Sequence, residues 1–236
     1  MHFVTFTTGN YTDMTKNLLI NFEKILVPCG HCLILICMDE LATNNLSMYK
    51  GIEWVIFQSR HVITGDVGIF NTPSYNNLMN FKPILVRELL DTYDELYWVD
   101  SDIVFYADPL PYVRANLTFQ QDHPTEEAGR LCAGNFYVKK NQESLDFFAT
   151  WIEAVHQNPD KHDQESLNKM VMERYGNYTN IPGVHVFPPE KFQRGYDAIK
   201  LKWWRRDDKV CIHVNYIEGF DAKKDALKWI QSWYIF

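Results

Sequence analysis

Cysteine is scarce. There are five in 236 residues, an odd number, so at least one stands outside any intramolecular disulfide, and their scatter makes no disulfide framework. That excludes a small cystine-stapled scaffold and favours a reducing compartment; a cytoplasmic location is expected, with a Golgi lumen as the alternative if the chain is a piece of a longer protein. Asn-x-Ser/Thr sequons at Asn10, Asn45, Asn116 and Asn177 matter only in a secretory lumen, and in so asparagine-rich a sequence most are read as chance. Long apolar runs are missing too. No stretch reaches the roughly 18 apolar residues of a membrane span. The chain opens on His2-Phe3-Val4-Thr5-Phe6-Thr7, a core strand and not a basic segment followed by an apolar one, so no signal peptide is expected. Positive charge is in deficit, 23 Lys and Arg against 30 Asp and Glu for a formal charge of −7. That argues against a nucleic-acid partner, which normally meets a basic face. An anionic small substrate remains compatible, held by a few local cations, a metal and helix ends. No internal repeat and no linker divides the chain.

What is present is alternation. After the first strand, Thr8-Gly9-Asn10-Tyr11 reads as a turn, and Thr12 or Asp13 as the cap of a helix burying Leu18, Leu19, Phe22, Ile25 and Leu26. Leu33 to Met38 and Glu53 to Phe57 read as further buried strands. Asn71 to Asn80 is polar and turn-rich. Pro83 suits the first turn of a helix that leads to an aromatic strand from Glu95. Asn116 to Arg130 reads as a loop with a short strand near Leu117. Leu131 to Val138 is a strand interrupted by Gly134, where a ligand or another backbone comes close. Helices follow, one carrying Leu145, Phe148, Trp151, Ile152 and Val155 inward and one from Asp163. Pro182 to Trp204 looks like a surface-wrapping segment, then come a short strand, Val210 to Val214, and a last helix from about Asp221. Strand, helix and strand in turn predict an α/β fold: a mostly parallel sheet flanked by helices in a single domain.

The chemistry concentrates in Tyr97-Trp98-Val99-Asp100-Ser101-Asp102-Ile103-Val104. Two acidic residues spaced by one at the end of a strand point their carboxylates to one side. Roughly 7 Å apart, they repel by about 2 kcal/mol at an effective dielectric near 20, so a cation is expected between them; oxygen ligands suit Mg²⁺ or Mn²⁺. The plain alternative is a pair of solvated turn formers.

This stretch, followed by Asp108-Pro109, resembles the Asp-x-Asp motif of GT-A glycosyltransferases in the nucleotide-diphospho-sugar transferase group, which includes plant cell-wall xylosyltransferases and glycosyltransferases of large DNA viruses. Three further stretches fall in the matching order: Cys132-Ala133-Gly134-Asn135-Phe136-Tyr137-Val138, His162-Asp163-Gln164-Glu165-Ser166-Leu167-Asn168, and His213-Val214-Asn215-Tyr216 with Gly219. The resemblance implies a Rossmann-like GT-A domain over residues 1–236, with a nucleotide-binding half to about residue 109 and an acceptor-side half beyond it. It implies transfer of a sugar from a UDP-sugar donor to a glycan or glycoprotein acceptor, with retention of anomeric configuration. Asp102 would be the principal ligand of Mn²⁺ or Mg²⁺, with Asp100 contacting ribose or metal, Ser101 lying against the nucleotide, and His213 closing the site. The alternative for His213 is a satisfied core histidine. Thr8, Gly9, Asn10 and Tyr11 would hold the nucleobase and ribose, with Tyr11 stacking. Lys82, Gly219 and Lys223 or Lys224 would face the nucleotide or its diphosphate; as plain alternatives, Lys82 is an exposed helix-start lysine and Gly219 to Lys224 a solvated charged turn. Asp163 and Gln164 would lie near the reacting sugar, although Asp163 also suits a helix cap, and Asp122 competes as the catalytic carboxylate.

Rival chemistries remain in view. Cys29-Gly30-His31-Cys32 reproduces a disulfide-oxidoreductase motif, but it follows a helix and runs straight into a strand, whereas that chemistry needs the first cysteine at a helix amino end. A haloacid-dehalogenase-like phosphatase shares an acidic pair after an apolar strand, though near the start of its fold. A non-catalytic nucleotide-sugar-binding protein is the third.

Overall fold

The apolar opening of the chain forms its first strand. In the computed structural model, which describes residues 1–49, 53–55, 70–122, 130–178 and 181–235, the elements run β1 (His2–Thr7), α1 (Thr12–Ile25), β2 (Cys32–Cys37), α2 (Glu40–Leu46), β3 (Glu53–Val55), α3 (Pro73–Met79), α4 (Phe81–Leu89), β4 (Glu95–Val99), β5 (Ile103–Phe105), β6 (Leu117–Gln121), β7 (Leu131–Lys139), α5 (Gln142–Gln157), α6 (Asp163–Tyr175), β8 (Val184–Val186), β9 (Phe192–Arg194), α7 (Gly195–Lys200), β10 (Cys211–His213) and α8 (Phe220–Trp229). Ile56 and Phe57, expected to extend β3, lie outside the described residues. These elements gather into two compact units, one of Met1–Thr64, Val99–Pro111 and Pro189–Phe236, the other of Gly65–Trp98 and Tyr112–Pro188.

In the first unit β3, β2 and β1 lie side by side in parallel, with Phe3 opposite Leu33 and Ile34 opposite Glu53. Parallel neighbours need a crossover, and α1 supplies it between β1 and β2. Leu33 to Cys37 are all buried, so β2 reads as a continuous apolar run without polar alternation. Met14, Leu18, Leu19 and Phe22 form the buried face of α1, and Phe22 meets Phe3 edge-on with ring centroids 5.3 Å apart. Thr12, expected as a cap, is instead the first helical residue, its hydroxyl donating to the Gly9 carbonyl at 3.0 Å. A second small sheet places β10 between β5, antiparallel, and β9, parallel. Here the expectation of a surface-wrapping segment from Pro182 to Trp204 is corrected. All three residues of β9 are buried, and the Arg194 guanidinium forks onto the Asp197 carboxylate at 2.6–2.7 Å. A buried cation requires such a partner, and apolar periodicity does not reveal one.

In the second unit the strand order is β4-β7-β6-β8, with β7 antiparallel and β8 parallel to β6. β7 is unbroken, so the interruption expected at Gly134 is one of pairing: Phe119 faces Phe136 whereas Gln120 faces Cys132, leaving residues 133–135 as a bulge centred on the glycine. Residues 73–79, read as turn-rich, are helical, because the Thr72 hydroxyl accepts from the Tyr75 N–H at 3.3 Å and Pro73 occupies the first turn. On α5 the inward face is Phe147, Phe148, Trp151 and Val155, capped by the Asn141 side chain accepting from the Ser144 N–H at 2.7 Å. Phe148 and Trp151 close on Phe136 at 6.0 Å each.

Buried Asn168 on α6 ties that helix to β7: its Oδ1 accepts from the Leu131 N–H at 2.8 Å and its Nδ2 donates to the Leu131 carbonyl at 2.9 Å. Asn168→Leu keeps the branched shape and strands both backbone groups, at about 1–3 kcal/mol each. A urea midpoint shift of that size at unchanged slope is the expected outcome; a shift within error would show that the amide is dispensable.

Candidate functional site

β4 ends at Val99, and the chain turns through Asp100 and Ser101, with the Ile103 N–H returning to the Asp100 carbonyl at 3.2 Å before β5 begins. Ser101 is buried in a hydroxyl chain, accepting from Thr15 Oγ1 at 3.1 Å while Thr15 Oγ1 lies 2.8 Å from Thr7 Oγ1. It therefore anchors the turn against α1 and β1. Asp102 is 4 % exposed. His213, opposite Ile103 in the small sheet, places Nε2 3.1 Å from Asp102 Oδ1. Lys223, in the first turns of α8, donates from Nζ to Asp102 Oδ2 at 2.6 Å. Burial alone would raise the Asp102 pKa, but the Lys223 and His213 charges and hydrogen bonds outweigh it and hold the carboxyl well below the usual range. Each of Asp100, Asp102 and His213 offers a ligand atom within 4.8 Å of the others.

Tyr11 belongs to the same neighbourhood. Its phenol is pushed up first by burial, with Lys223 opposing and Asp102 and Asp100 adding to the rise. Its ring stands edge-on to Phe220, 5.8 Å away. Thr8 is buried and Asn10 exposed. The Gly9 N–H is committed to both oxygens of the Asp39 carboxylate, at 2.8 and 3.0 Å, and Asp39 also caps α2 through the Ala42 N–H at 2.7 Å. A Cβ on Gly9 would sit 2.5 Å from Leu41 Cδ2. Sequence reasoning missed Asp39 as the anchor of this loop, and its signal was that of a helix cap after a strand. Gly219 begins α8 with φ +87°, and Lys224 lies over the Trp233 ring at 5.3 Å.

The other expected site residues fall in the second unit. Lys82, far from being an exposed lysine, is buried, with Nζ 3.0 Å from Asp163 Oδ2 and 5.7 Å from the Trp98 ring centroid. Asp163 opens α6, but the preceding His162 occupies the cap position. The Asp163 carbonyl accepts from Trp151 Nε1 at 2.9 Å, and Gln164 Oε1 accepts from the Ala133 N–H in the β7 bulge at 3.0 Å. Burial would raise the Asp163 pKa; Lys82, then His162, outweigh it and lower the value. Asp122 is buried, with its N–H on the Arg130 carbonyl at 2.7 Å. Cys29 and Cys32 are exposed thiols, the first between α1 and β2 and the second opening β2, and His31 sits 3.1 Å from Asp108.

A family profile described as nucleotide-diphospho-sugar transferase matches residues 31–227. The chain belongs to that family. It is similar to the UDP-galactose:fucoside alpha-3-galactosyltransferase of Dictyostelium discoideum, 26% identical over 275 residues covering 95% of this chain and 42% of that protein. It is similar also to the UDP-D-xylose:L-fucose alpha-1,3-D-xylosyltransferase 3 of Arabidopsis thaliana, 21% identical over 70% of this chain and 49% of that protein. The chain thus spans about half the length of the curated relatives it matches. Among solved structures, the galactosyltransferase LgtC in complex with donor and acceptor sugar analogues aligns with a TM-score of 0.63 at 12% identity, covering 100% of this chain and 97% of that one. A glycosyltransferase involved in glycosylation of the major capsid of PBCV-1 aligns at 0.59 and 8% identity, covering 98% of each. These likenesses establish the expected mixed α/β fold with a mostly parallel sheet, of the GT-A kind. No helix among the described residues is long and apolar enough to cross a membrane.

The Lys82–Asp163 pair generates a stability prediction. Lys82→Met leaves a buried carboxylate uncompensated and should cost about 3–5 kcal/mol, most of it recovered when Asp163→Leu is added. Because the folded Asp163 pKa is lowered, its contribution is complete above the ordinary carboxylate value near about pH 4 and is lost as pH falls through the lower folded value. Urea midpoints against pH should therefore decline less steeply on the acid side for the double variant than for wild type; parallel curves would show that the pair is not coupled to folding.

Proposed function

We propose that this protein is a metal-dependent glycosyltransferase that moves a sugar from a UDP-linked donor to a glycan or protein-linked acceptor. The observation that carries the reading is the convergence of Asp100, Asp102 and His213 within 4.8 Å. Two carboxylates and an imidazole are a donor set that a divalent ion fits, and a mixed oxygen and nitrogen set favours Mn²⁺ over the harder Mg²⁺ or Ca²⁺. The Lys223 ammonium at 2.6 Å from Asp102 supports the fit, since the same carboxylate already draws a positive charge. UDP is favoured because two relatives carry it in their names.

In this reading Asp102 is the principal ligand, with Asp100 and His213 beside it. Such an ion, when bound, supplies charge stabilisation to a departing diphosphate. The chain's own groups do the rest. Lys223, at the amino end of α8 behind Gly219, sets a second cation and unsatisfied backbone N–H groups toward the phosphates. The loop Thr8 to Tyr11, held in place by Asp39, receives the nucleobase and ribose, with the Tyr11 ring as its stacking face and Ser101 holding the acidic turn in register. Lys82 fixes the Asp163 carboxylate, and Asp163 with Gln164 orients the reacting sugar. Retention of configuration is the favoured outcome, and the five free cysteines favour a reducing compartment.

Titration calorimetry with UDP and MnCl₂ tests the site. Asp102→Ala should lose the Mn²⁺-dependent part of UDP binding, and binding equal to wild type in the presence of the ion would sink the assignment. His213→Ala should weaken apparent metal affinity by about 10–100-fold, the range seen when a metal site loses one supporting group, with unchanged far-UV circular dichroism. Collapse of the spectrum would instead make His213 a core residue. The transferred anomer, read by NMR, settles retention.

A further inference from the structure

The turn between α5 and α6 leads into Asp163 without an apolar anchor of its own: Pro159 and Asp160 are exposed, and Asn158, Lys161 and His162 are half-buried. Four successive carbonyls in it are nevertheless taken. Asn76 Nδ2 donates to the Asp160 carbonyl at 2.7 Å, Asn80 Nδ2 to that of Lys161 at 3.0 Å, the Ser166 N–H to that of His162 at 3.1 Å and Trp151 Nε1 to that of Asp163 at 2.9 Å. Asn76 lies in α3 and Asn80 caps its end, four residues on and therefore on the same face. Lys82 continues the series to the Asp163 carboxylate at 3.0 Å. The polar character of residues 71–80, which as sequence reads as turns, is thus that of a helix face gripping the backbone of another segment.

Stability does not explain the pair. The Asn76 amide is fixed, since its other N–H goes to Asn71 Oδ1 at 3.2 Å and both partners are oxygens, which nitrogen and not oxygen must face. Its Oδ1 and that of Asn80 are left buried with no hydrogen-bond partner among the described residues, and an unpaired buried acceptor is destabilising. The carbonyls of a surface turn, for their part, find water when no protein donor is present, so the bonds to Asp160 and Lys161 add little net stability. What the two amides do is fix the position of a backbone that packing leaves free. Position matters here because a group that orients a reacting substrate loses its effect when displaced by about 1 Å.

We propose that Asn76 and Asn80 are positioning residues for sugar transfer, holding the turn before α6 so that Asp163 and Gln164 meet the donor sugar in the reactive geometry; this rests on the reading of those two as sugar-orienting groups. The test uses the full chain with MnCl₂ and whichever of UDP-galactose, UDP-glucose and UDP-xylose it hydrolyses fastest, followed as UDP release. In Asn76→Leu and Asn80→Ala, kcat should fall by at least about tenfold, within the roughly 100-fold that a displacement of about 1 Å can cost. Donor KM and Mn²⁺-dependent UDP affinity should stay within about twofold of wild type, and the melting temperature within about 3 °C. Asn80 is half-buried, so its truncation leaves the fold intact if the first variant does not. A second readout is independent of turnover. Of the chain's seven indole N–H groups, that of Trp151, identified through Trp151→Phe, should exchange with deuterium about tenfold faster in either variant, with the other six unchanged. A kcat equal to wild type in a folded variant overturns the proposal, as does exchange that rises at all the indoles together, which marks a general loss of stability. An active wild type with unaffected variants is failure of this inference alone, whereas a wild type that releases UDP from none of the three donors is failure of the transferase reading and of this inference with it.

Discussion

A buried negative charge at Asp102 is the constraint on which the arrangement of the first unit depends. Taking a carboxylate out of water costs several kcal/mol even after relaxation, and this one is buried at the junction of a turn and a strand. Its two compensating groups come from far along the chain, His213 on β10 and Lys223 on α8. That requirement specifies register. His213 lies opposite Ile103, and the Val214 N–H reaches the Asp102 carbonyl at 3.1 Å. A slip of one residue would turn the imidazole to the other face of the small sheet and leave the carboxylate short of one partner. Charge pairing and strand pairing are the same constraint seen from the side chain and from the backbone.

The second unit meets the same problem with a different balance. Lys82 and Asp163 are both buried and cancel, so no cation can enter without displacing Lys82. Around Asp102 the groups differ in kind: two carboxylates and an imidazole offer ligand atoms within 4.8 Å of one another, with the Lys223 ammonium 2.6 Å from one of them. A single buried ion pair offers no such donor set. Under the proposed function the short Lys223 contact is no obstacle, since Lys223 is partly exposed and its long stem lets the head group move.

The parallel strands, α1, α6, α8 and the acidic turn were legible because each rests on a local signal: a continuous apolar run, a helical repeat, or a pair of acids at a strand end. The stretch from Pro189 to Trp204, within the segment expected to wrap the surface, was misread for the opposite reason. Its burial rests on Arg194 and Asp197, charged residues that satisfy each other, and on Gly195, whose N–H donates to Asn215 Oδ1 at 3.1 Å; none of these looks like core in a hydropathy reading. The helix at residues 73–79 was hidden by its own caps, since Thr72, Pro73 and the asparagines are turn formers by type and helix starters by position. His213 and Lys223 entered through the family resemblance, because nothing in local spacing announces a partner more than a hundred residues away. Asp39 was not singled out in the sequence, and its role needed the Gly9 N–H to be seen pointing at it.

Asp163 illustrates how such a position is held. Four contacts converge on the first turns of α6: Lys82 on the carboxylate, Trp151 on the carbonyl, and the side chains of Gln164 and Asn168 on the β7 backbone. The last two lie four residues apart on one helical face and meet Ala133 and Leu131, two residues apart on one strand. They take up backbone groups beside the bulge, where β6 skips residues 133–135. The bulge therefore leaves the Ala133 N–H paired, and its partner is on the helix that carries Asp163. Only one of the four contacts involves the carboxylate itself, so the helix start stays in place whichever partner that carboxylate takes, which is the rigidity that the proposed sugar-orienting role requires.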